Sequence, residues 1–510
     1  MRSYLIGIDV GTSATKTVLM DESGGVAAQA VRSYPLDQPG NGWAEQDPKD
    51  WARAAMDTMK EVMDKSGVPK EAVQGIGLSG QMHGLVMLDE EKQPIGSSIL
   101  WCDQRSHKQV EEMKQLLPEE KWLEITANPP IAAWTAAKIL WVRENEPERY
   151  RKCRYILLPK DYVRYVLTGA LATDVSDASG MQLLDVKNRC WSKEILQVMD
   201  LKEECLGKVY ESKEVTGFLL PEAAAACGLK PGIPVVAGAA DNAGAAIGTG
   251  VVEEGSGFTS LGTSALVYTA MDRYIPIPGG RLHLCCSSVP GAWFAMGGPQ
   301  AAGLSVEWFK NHFCQEMAQK AEAKGRDIYE QMNEEAASIP PGSGRLIYLP
   351  FLMGERTPNM NPKNRGAFVG LTALHTPAHL LRAVLEGITY SLADCNNILK
   401  ELGVEVKEMR VCGGGSKNPV WRQIMADLYG CPVVRLKQEE GPAYGAAILA
   451  GAGVQVFADV RETSKRLAQC GGSTSPIAEE AKLYQRYLKV YDSFCCHMVH
   501  DFLDLYDLAE

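Results

Sequence analysis

Two carboxylates and two copies of one hydroxyl-rich turn are the residues of this chain best suited to chemistry. Asp9 closes a short apolar run, Ile6-Gly7-Ile8-Asp9-Val10, just ahead of Gly11-Thr12-Ser13. A second Gly-Thr-Ser, Gly262-Thr263-Ser264, lies between Thr259-Ser260-Leu261 and Ala265-Leu266-Val267-Tyr268. Apolar run, tight turn, apolar run predicts a hairpin whose amides and hydroxyls can close around a phosphate. Two such hairpins, half a chain apart, point to two related domains gripping one nucleotide. Asp9 can hold hydrated Mg²⁺ against the phosphates, although an Asp capping its own turn would have the same sequence.

Phosphoryl transfer to an alcohol also needs a carboxylate that accepts the hydroxyl proton. Asp241 is the candidate. It follows an apolar strand at 234–238 and precedes Asn242 and a run of small residues, an arrangement that places a carboxylate at the mouth of a cleft. The competing reading is a structural Asp that caps a helix starting at Asn242. Met82 and His83, in Gly80-Gln81-Met82-His83-Gly84, follow the strand at 73–78. His83 could bond a sugar hydroxyl and Met82 could offer an apolar contact; a lone histidine is more often structural. Gly413-Gly414-Gly415 sits between a strand at 408–412 and a helix at 419–428, where bare backbone and a helix N-terminus favour a nucleotide. A triple glycine is also a common flexible turn.

These residues need a frame to hold them. Strands are predicted at 4–10, 15–20 and 25–33, followed by a helix over 50–65 with Trp51, Ala54, Ala55, Met59 and Val62 on one face. The middle of the first half reads as largely helical, at 134–145 and 161–167. The second hairpin opens the second half, which sets a boundary within 250–257 and two domains, 1–250 and 251–510. A small-residue helix from Gly441 mirrors the one behind Asp241 and strengthens the case for duplication.

A chain of 510 residues is long enough for two or three domains. With 52 basic and 63 acidic residues its net charge is −11, which argues against nucleic acid or an anionic membrane as partner. No apolar run is long enough to span a bilayer, and the N-terminal residues reach Asp9 too soon for a signal peptide. The 14 cysteines lack any Cys-x-x-Cys pair, so free thiols in a reducing compartment are expected, and with them a cytoplasmic protein. Cys495-Cys496-His497 and His500 fall in an amphipathic helical pattern that suits packing better than metal ligation. The Gly-x-x-x-x-Gly-Lys-Ser/Thr loop and the His-Arg-Asp and Asp-Phe-Gly motifs of protein kinases are missing, so any use of ATP follows another design.

The motifs resemble those of the FGGY carbohydrate kinases over nearly the whole chain, from about residue 4 to 490. The opening Gly7-Ile8-Asp9-Val10-Gly11-Thr12-Ser13 is similar to that family's first phosphate loop. Thr135-Ala136-Ala137-Lys138-Ile139-Leu140-Trp141-Val142-Arg143-Glu144-Asn145 is similar to its first long signature, with Ala133 a departure. Gly366-Ala367-Phe368-Val369-Gly370-Leu371, followed by His379-Leu380-Leu381-Arg382-Ala383-Val384-Leu385-Glu386, is similar to the second. Gly80-Gln81-Met82-His83-Gly84, Trp101-Cys102-Asp103-Gln104-Arg105 and Leu158-Pro159-Lys160-Asp161-Tyr162 look like the branch that phosphorylates D-xylulose; glycerol kinases carry an Arg-Glu pair in the first of these loops.

The resemblance implies an α/β fold of two actin-like, ribonuclease-H-like domains with the active site in the cleft between them. It implies ATP and Mg²⁺, Asp241 as catalytic base, Asp9 as the carboxylate that handles Mg-ATP, and Met82 and His83, with Asn242, as sugar contacts. Gly11, Thr12 and Ser13 fall on the first phosphate loop, and Gly262, Thr263, Gly303, Gly413, Gly414 and Asn418 on the nucleotide site. The N-terminal domain would bind sugar and the C-terminal domain nucleotide, in a protein whose partners are a small sugar and ATP and which the family suggests is a homodimer. Two rival readings stand beside it: a kinase for ribulose, xylitol, a deoxy sugar or another polyol, and an actin-like or chaperone-like ATP-driven switch. Nothing after residue 470 is large enough to be a chaperone's separate substrate domain.

Overall fold

The computed structural model describes residues 2–323, 325–437 and 441–508. The first sheet starts as a meander of β1 (Tyr4–Val10), β2 (Ala14–Asp21) and β3 (Val26–Ser33). It continues with β4 (Val73–Gly80), β5 (Val215–Phe218), β6 (Pro234–Val236) and β7 (Ala239–Ala240) in the order β5-β6-β4-β1-β2-β3, with β7 also paired to β4. β1, β6 and β7 all run parallel to β4. Leu5, Ile6, Ile8 and Val10 are all buried because both faces of this sheet are covered. One cover is helix α1 (Pro48–Ser66): Asp47 caps it through the Lys49 amide, Pro48 starts it, and Gly67 ends it in a left-handed turn. Its Trp51, Ala55, Met59 and Val62 join the core beneath the sheet.

Between β4 and β5 the chain makes α2 (Thr135–Asn145), α3 (Pro159–Thr168) and the single turn α4 (Val175–Ala178). After β7 comes α5 (Asp241–Thr249), which leads into the second half. The second sheet is built from β8 (Ser256–Leu261), β9 (Ala265–Met271), β10 (His283–Cys286), β11 (Trp293–Gly297), β12 (Glu408–Cys412), β13 (Val433–Leu436) and β14 (Cys470–Thr474). Their order is β10-β11-β9-β8-β12-β13-β14, with β8, β12 and β13 mutually parallel. Both sheets therefore place a run of antiparallel strands that opens with the Gly-Thr-Ser hairpin, three strands long in the first sheet and four in the second, beside parallel strands, and both finish on an antiparallel edge. α6 (Gly303–Phe313) follows β11, α7 (Pro419–Tyr429) follows β12, and α8 (Gly441–Gly453) follows β13.

α8 departs from the sequence expectation in one respect. It mirrors α5 in composition, yet it does not stay within its own half: it lies across β1 and β4 of the first sheet and against α5. The contact is backbone on backbone. A Cβ on Gly7 would lie 1.9 Å from the Ala443 carbonyl oxygen, and one on Gly77 2.0 Å from that of Ala446. Gly7 and Gly77 are register partners in β1 and β4, so together they form one bare groove for the helix. A Cβ on Gly445 would likewise lie 1.9 Å from Gly244 O, which brings α8 and α5 into direct contact. One apolar core runs through this junction, joining Leu5 and Val18 of the first sheet, Ala443 and Ile448 of α8, and Phe258 and Tyr268 of the second sheet.

Candidate active site

Between the two sheets lies a cavity of about 370 Å³. Asp9, Gly11, Asp241 and Asn242 line it from the first half, and Phe258, Ser260, Cys412 and Gly413 from the second. Asp9 stands near the end of β1. Its Oδ1 is buried and accepts no hydrogen bond. Burial, then the charge of Asp241, push its carboxyl up to about 7, against the pull of Lys16. Such an orphaned carboxylate oxygen in a cleft is what a hard divalent cation would satisfy.

Asp241 is the first residue of α5. The helix starts one residue earlier than a capping role required: Ala240 is the N-cap and makes no side-chain cap bond. One oxygen, Oδ1, accepts from the Asn242 amide at 2.6 Å and from Asn242 Nδ2 at 2.9 Å. Burial raises the carboxyl to about 6, and the Asn242 amide opposes that rise. The result is a carboxylate ionised at neutral pH yet basic enough to take a proton.

Asn242 also links this pair to the loop after β4, because its Nδ2 lies 3.9 Å from Met82 Sδ. Met82 is buried, and His83 beside it has a left-handed backbone (φ 66°). The His83 ring stacks on Trp134, with centroids 4.5 Å apart and planes 13° from parallel. Its Nδ1 lies 2.9 Å from Gly180 O, a group that can only accept, so Nδ1 carries the hydrogen and Nε2 is left with its lone pair. Burial lowers the imidazole to about 3 and keeps it neutral. His83 is therefore a fixed hydrogen-bond acceptor.

The two hairpins are supported by different means. In the first, Trp101 Nε1 donates to Thr12 Oγ1 at 2.9 Å, and that hydroxyl donates to Gln81 Oε1 at 3.2 Å. Gln46 Nε2 donates to Thr12 O at 2.7 Å. The Thr12 hydroxyl hydrogen is thus directed to Gln81, whereas Ser13 is exposed. In the second, backbone amides at the start of α6 provide the support: Gly303 donates to Gly262 O at 2.9 Å, and Ala302 and Leu304 each donate to Thr263 O at 3.0 Å. A Cβ on Gly303 would lie 2.4 Å from Gly262 O, so this glycine holds the hairpin from behind. Gly262 and Thr263 are exposed at its tip.

Gly413, with φ 86°, turns the chain beneath the cleft, and a Cβ there would lie 2.6 Å from Leu261 O. Gly414 faces open space. Asn418 caps α7, its Oδ1 accepting from the amides of Val420 at 2.9 Å and Trp421 at 3.1 Å. The structure thus gathers Asp9, Gly11, Asp241, Asn242 and Gly413 around one cavity. Met82 joins through Asn242, Gly414 and Asn418 follow Gly413 on the same turn, and Gly303 stands behind the second hairpin.

Several contributors escaped the sequence reading. Ser260 was legible in principle, since it stands two residues before Gly262 as Asp9 stands two before Gly11. Gln46 and Trp134 carried no local signal, and Trp101 stood in a family-like motif without a role assigned to it. A buried ionic cluster behind Asp241 was not foreseen either, although Lys160 and Asp161 stand in a family-like motif: Lys160 Nζ meets Asp161 Oδ1 at 2.6 Å, Asp174 Oδ1 at 2.9 Å and Asp177 Oδ2 at 3.4 Å. Burial raises the Asp177 carboxyl well above the ordinary range, as do the charges of Asp161, Asp174 and Asp241, against the pull of Lys160.

Two topologically repeated α/β domains around a cleft, with one carboxylate at a strand end beside a Gly-Thr-Ser turn and another at a helix start, define an actin-like phosphotransferase scaffold. Comparison with known proteins narrows this class. Residues 4–248 match the N-terminal domain of the FGGY family of carbohydrate kinases and residues 257–454 its C-terminal domain. The chain belongs to the FGGY family of carbohydrate kinases. It is 36% identical over 494 residues to a xylulose kinase of Bacillus subtilis, covering 97% of each chain. The crystal structure of a ligand-bound xylulose kinase from Lactobacillus acidophilus matches with a TM-score of 0.92 at 27% identity, over 99% of this chain and 100% of that one. A gluconate kinase structure from the same organism matches with the same TM-score, 0.92, identity, 27%, and coverage, 99% and 100%. Backbone likeness alone therefore does not select the sugar. Among the described residues, no helix is long and apolar enough to cross a membrane.

Proposed function

We propose that this chain transfers the γ-phosphoryl group of ATP to the terminal 5-hydroxyl of D-xylulose, as a cytoplasmic enzyme. The observation that carries the reading is the pairing of Asp9 and Asp241 in one cleft whose other wall is neutral. Residues 1–250 supply the sugar contacts and the base, and residues 251–510 the nucleotide face.

Asp241 accepts the proton of the attacking hydroxyl through the carboxylate oxygen that Asn242 leaves free. Asn242 orients that carboxylate and also meets Met82, which links the base to the sugar floor. His83 Nε2 accepts a hydroxyl hydrogen at the non-reacting end of the sugar, and the Trp134 ring fixes its plane. Asp9, with its unpartnered Oδ1, is the residue that would hold Mg²⁺. When bound there, Mg²⁺ supplies charge neutralisation for the β- and γ-phosphates. The exposed hydroxyls of Ser13 and Thr263 offer donors to the transferring group, while the Gly11 and Gly262 amides close their own turns on Ala14 O and Ser264 O. Gly303 holds the second hairpin in place, and the open backbone at Gly414 beside Asn418 receives the nucleoside.

The test is ADP release from MgATP without sugar and with D-xylulose, D-ribulose, L-xylulose, xylitol, glycerol and gluconate in turn. D-xylulose should give the largest kcat/KM. Preference for another compound would keep the phosphotransfer reading and discard the sugar. A rate that no sugar alters would leave the ATP-driven switch.

A further inference from the structure

The backbone that delivers Asp241 is anchored from a direction the reaction does not require. β7 pairs with β4 on one side. On the other side no strand among the described residues continues the sheet, and side chains and stray carbonyls complete the ladder. The Ala237 and Gly238 amides donate to Glu214 O at 2.8 Å and Ser212 O at 2.9 Å. Arg164 Nη1 donates to Ala237 O at 2.6 Å. The amide of Ala240, the residue just before Asp241, donates to Ser176 Oγ at 3.0 Å.

Ser176 has a defined hydrogen arrangement. Its hydroxyl donates to Asp174 Oδ2 at 2.5 Å, so its lone pairs are free to accept from Ala240 and, at 3.3 Å, from Ser288 Oγ of the second half. The same Asp174 oxygen accepts the Ser176 amide and Ser212 Oγ, each at 2.9 Å. The other oxygen lies 2.9 Å from Lys160 Nζ. Every member is buried: Lys160, Asp174, Ser176 and Ser212 are each 0% exposed. A buried ion pair of this kind is a poor source of stability, because desolvation offsets the attraction, and a fixed geometry is what it supplies instead.

We infer that Ser176, oriented by Asp174 and Lys160, is a positioning residue for Asp241: it fixes the peptide that sets where the catalytic carboxylate stands. The inference rests on Asp241 being the base. A small displacement of a general base costs rate while leaving ground-state contacts to sugar and ATP intact.

The experiment is a double-mutant cycle on the full chain, reading transfer of labelled γ-phosphate at saturating substrates. Ser176→Ala should lower kcat about tenfold, with both KM values within about twofold of wild type. Ser176→Thr, which keeps the hydroxyl, should restore most of the rate. Ser212→Ala, which removes the neighbouring hydroxyl on the same carboxylate oxygen without touching Ala240, should stay within about twofold. In an Asp241→Asn background, Ser176→Ala should change the residual rate by less than about twofold, because the group it positions no longer acts. Wild-type kcat in Ser176→Ala, an equal loss in Ser212→Ala, or a full tenfold loss in the Asp241→Asn background would each overturn the inference. The base assignment is read separately, from Asp241→Asn alone.

Discussion

Aligned on their Gly-Thr-Ser turns, the two halves correspond at Gly7 and Phe258, each four residues before the turn glycine, and at Asp9 and Ser260, each two before it. Gly7 pairs across the sheet with Gly77, and Phe258 with Arg410. The glycine pair admits α8 to backbone contact, and that face of the first sheet is closed. The Phe258–Arg410 pair admits nothing so close. Phe258 stacks on Tyr268 with centroids 4.9 Å apart, and Arg410 bonds the Thr249 carbonyl at the end of α5. α5 is held off the second sheet, and the cavity lies between them, with Ala245, Gly248 and Thr249 facing Phe258 and Ser260. The cleft is thus a helix-docking site that the second copy of the fold leaves unfilled. Charge follows the same asymmetry, since only the first hairpin places a carboxylate there.

The largest effect should come from the carboxylate at the start of α5. Asp241→Asn should lower kcat by about 10³-fold or more while ATP affinity, measured by calorimetry, changes less than about threefold. The same variant carries a stability signature with a defined sign. The folded carboxyl, near 6, lies above its unfolded value, so wild-type stability falls as pH rises through that interval. The variant's Tm should therefore exceed that of wild type by about 1–3 °C at pH 8, and the gain should disappear by pH 4.

Next comes the pairwise contrast of the hairpins. Asp9→Asn should lower kcat about 10²-fold, whereas Ser260→Ala at the equivalent position should cost less than about threefold. Equal losses from the two would break the comparison. The smallest expected effect on the chemistry, and the clearest on the fold, belongs to the groove. Gly7→Ala forces a methyl group against the Ala443 carbonyl and should cost about 3 kcal/mol or more of stability, read as a lowered denaturant midpoint.

The hairpins, α1, the strand before His83 and the helix after Asn418 were legible in the sequence because each depends on contacts within a few residues: a turn, a cap, an apolar stripe. Their boundaries came out within one or two residues, except in the second hairpin, whose strands each run three residues beyond the apolar segments read from the sequence. Of the residues to which the family motifs pointed, Asp9, Gly11, Asp241, Asn242 and Gly413 line one cavity, whereas Met82, His83, Thr12, Ser13, Gly262, Thr263, Gly303, Gly414 and Asn418 lie outside its lining. The destination of α8 was not legible, since it depends on two glycines in separate strands that become one groove only after the sheet has formed. The engagement of Thr12 by Trp101, and of Ala240 by Ser176, escaped for the same reason. Lys160, Asp174 and Asp177 showed no periodicity, and their burial is set by three elements converging, not by any one of them.

The path of α8 also bears on how this protein can be divided. The first sheet is finished by a segment made long after its own strands, with Tyr444 donating to Gly24 O at 2.8 Å to secure it. During synthesis, the early strands leave the ribosome with the faces at Gly7 and Gly77 bare, and they wait for most of the second half before their cover arrives. A fragment ending near residue 250 would keep that exposed groove permanently. However symmetrical in plan, the two halves are not separable at this junction: the first sheet is completed by a helix of the second half.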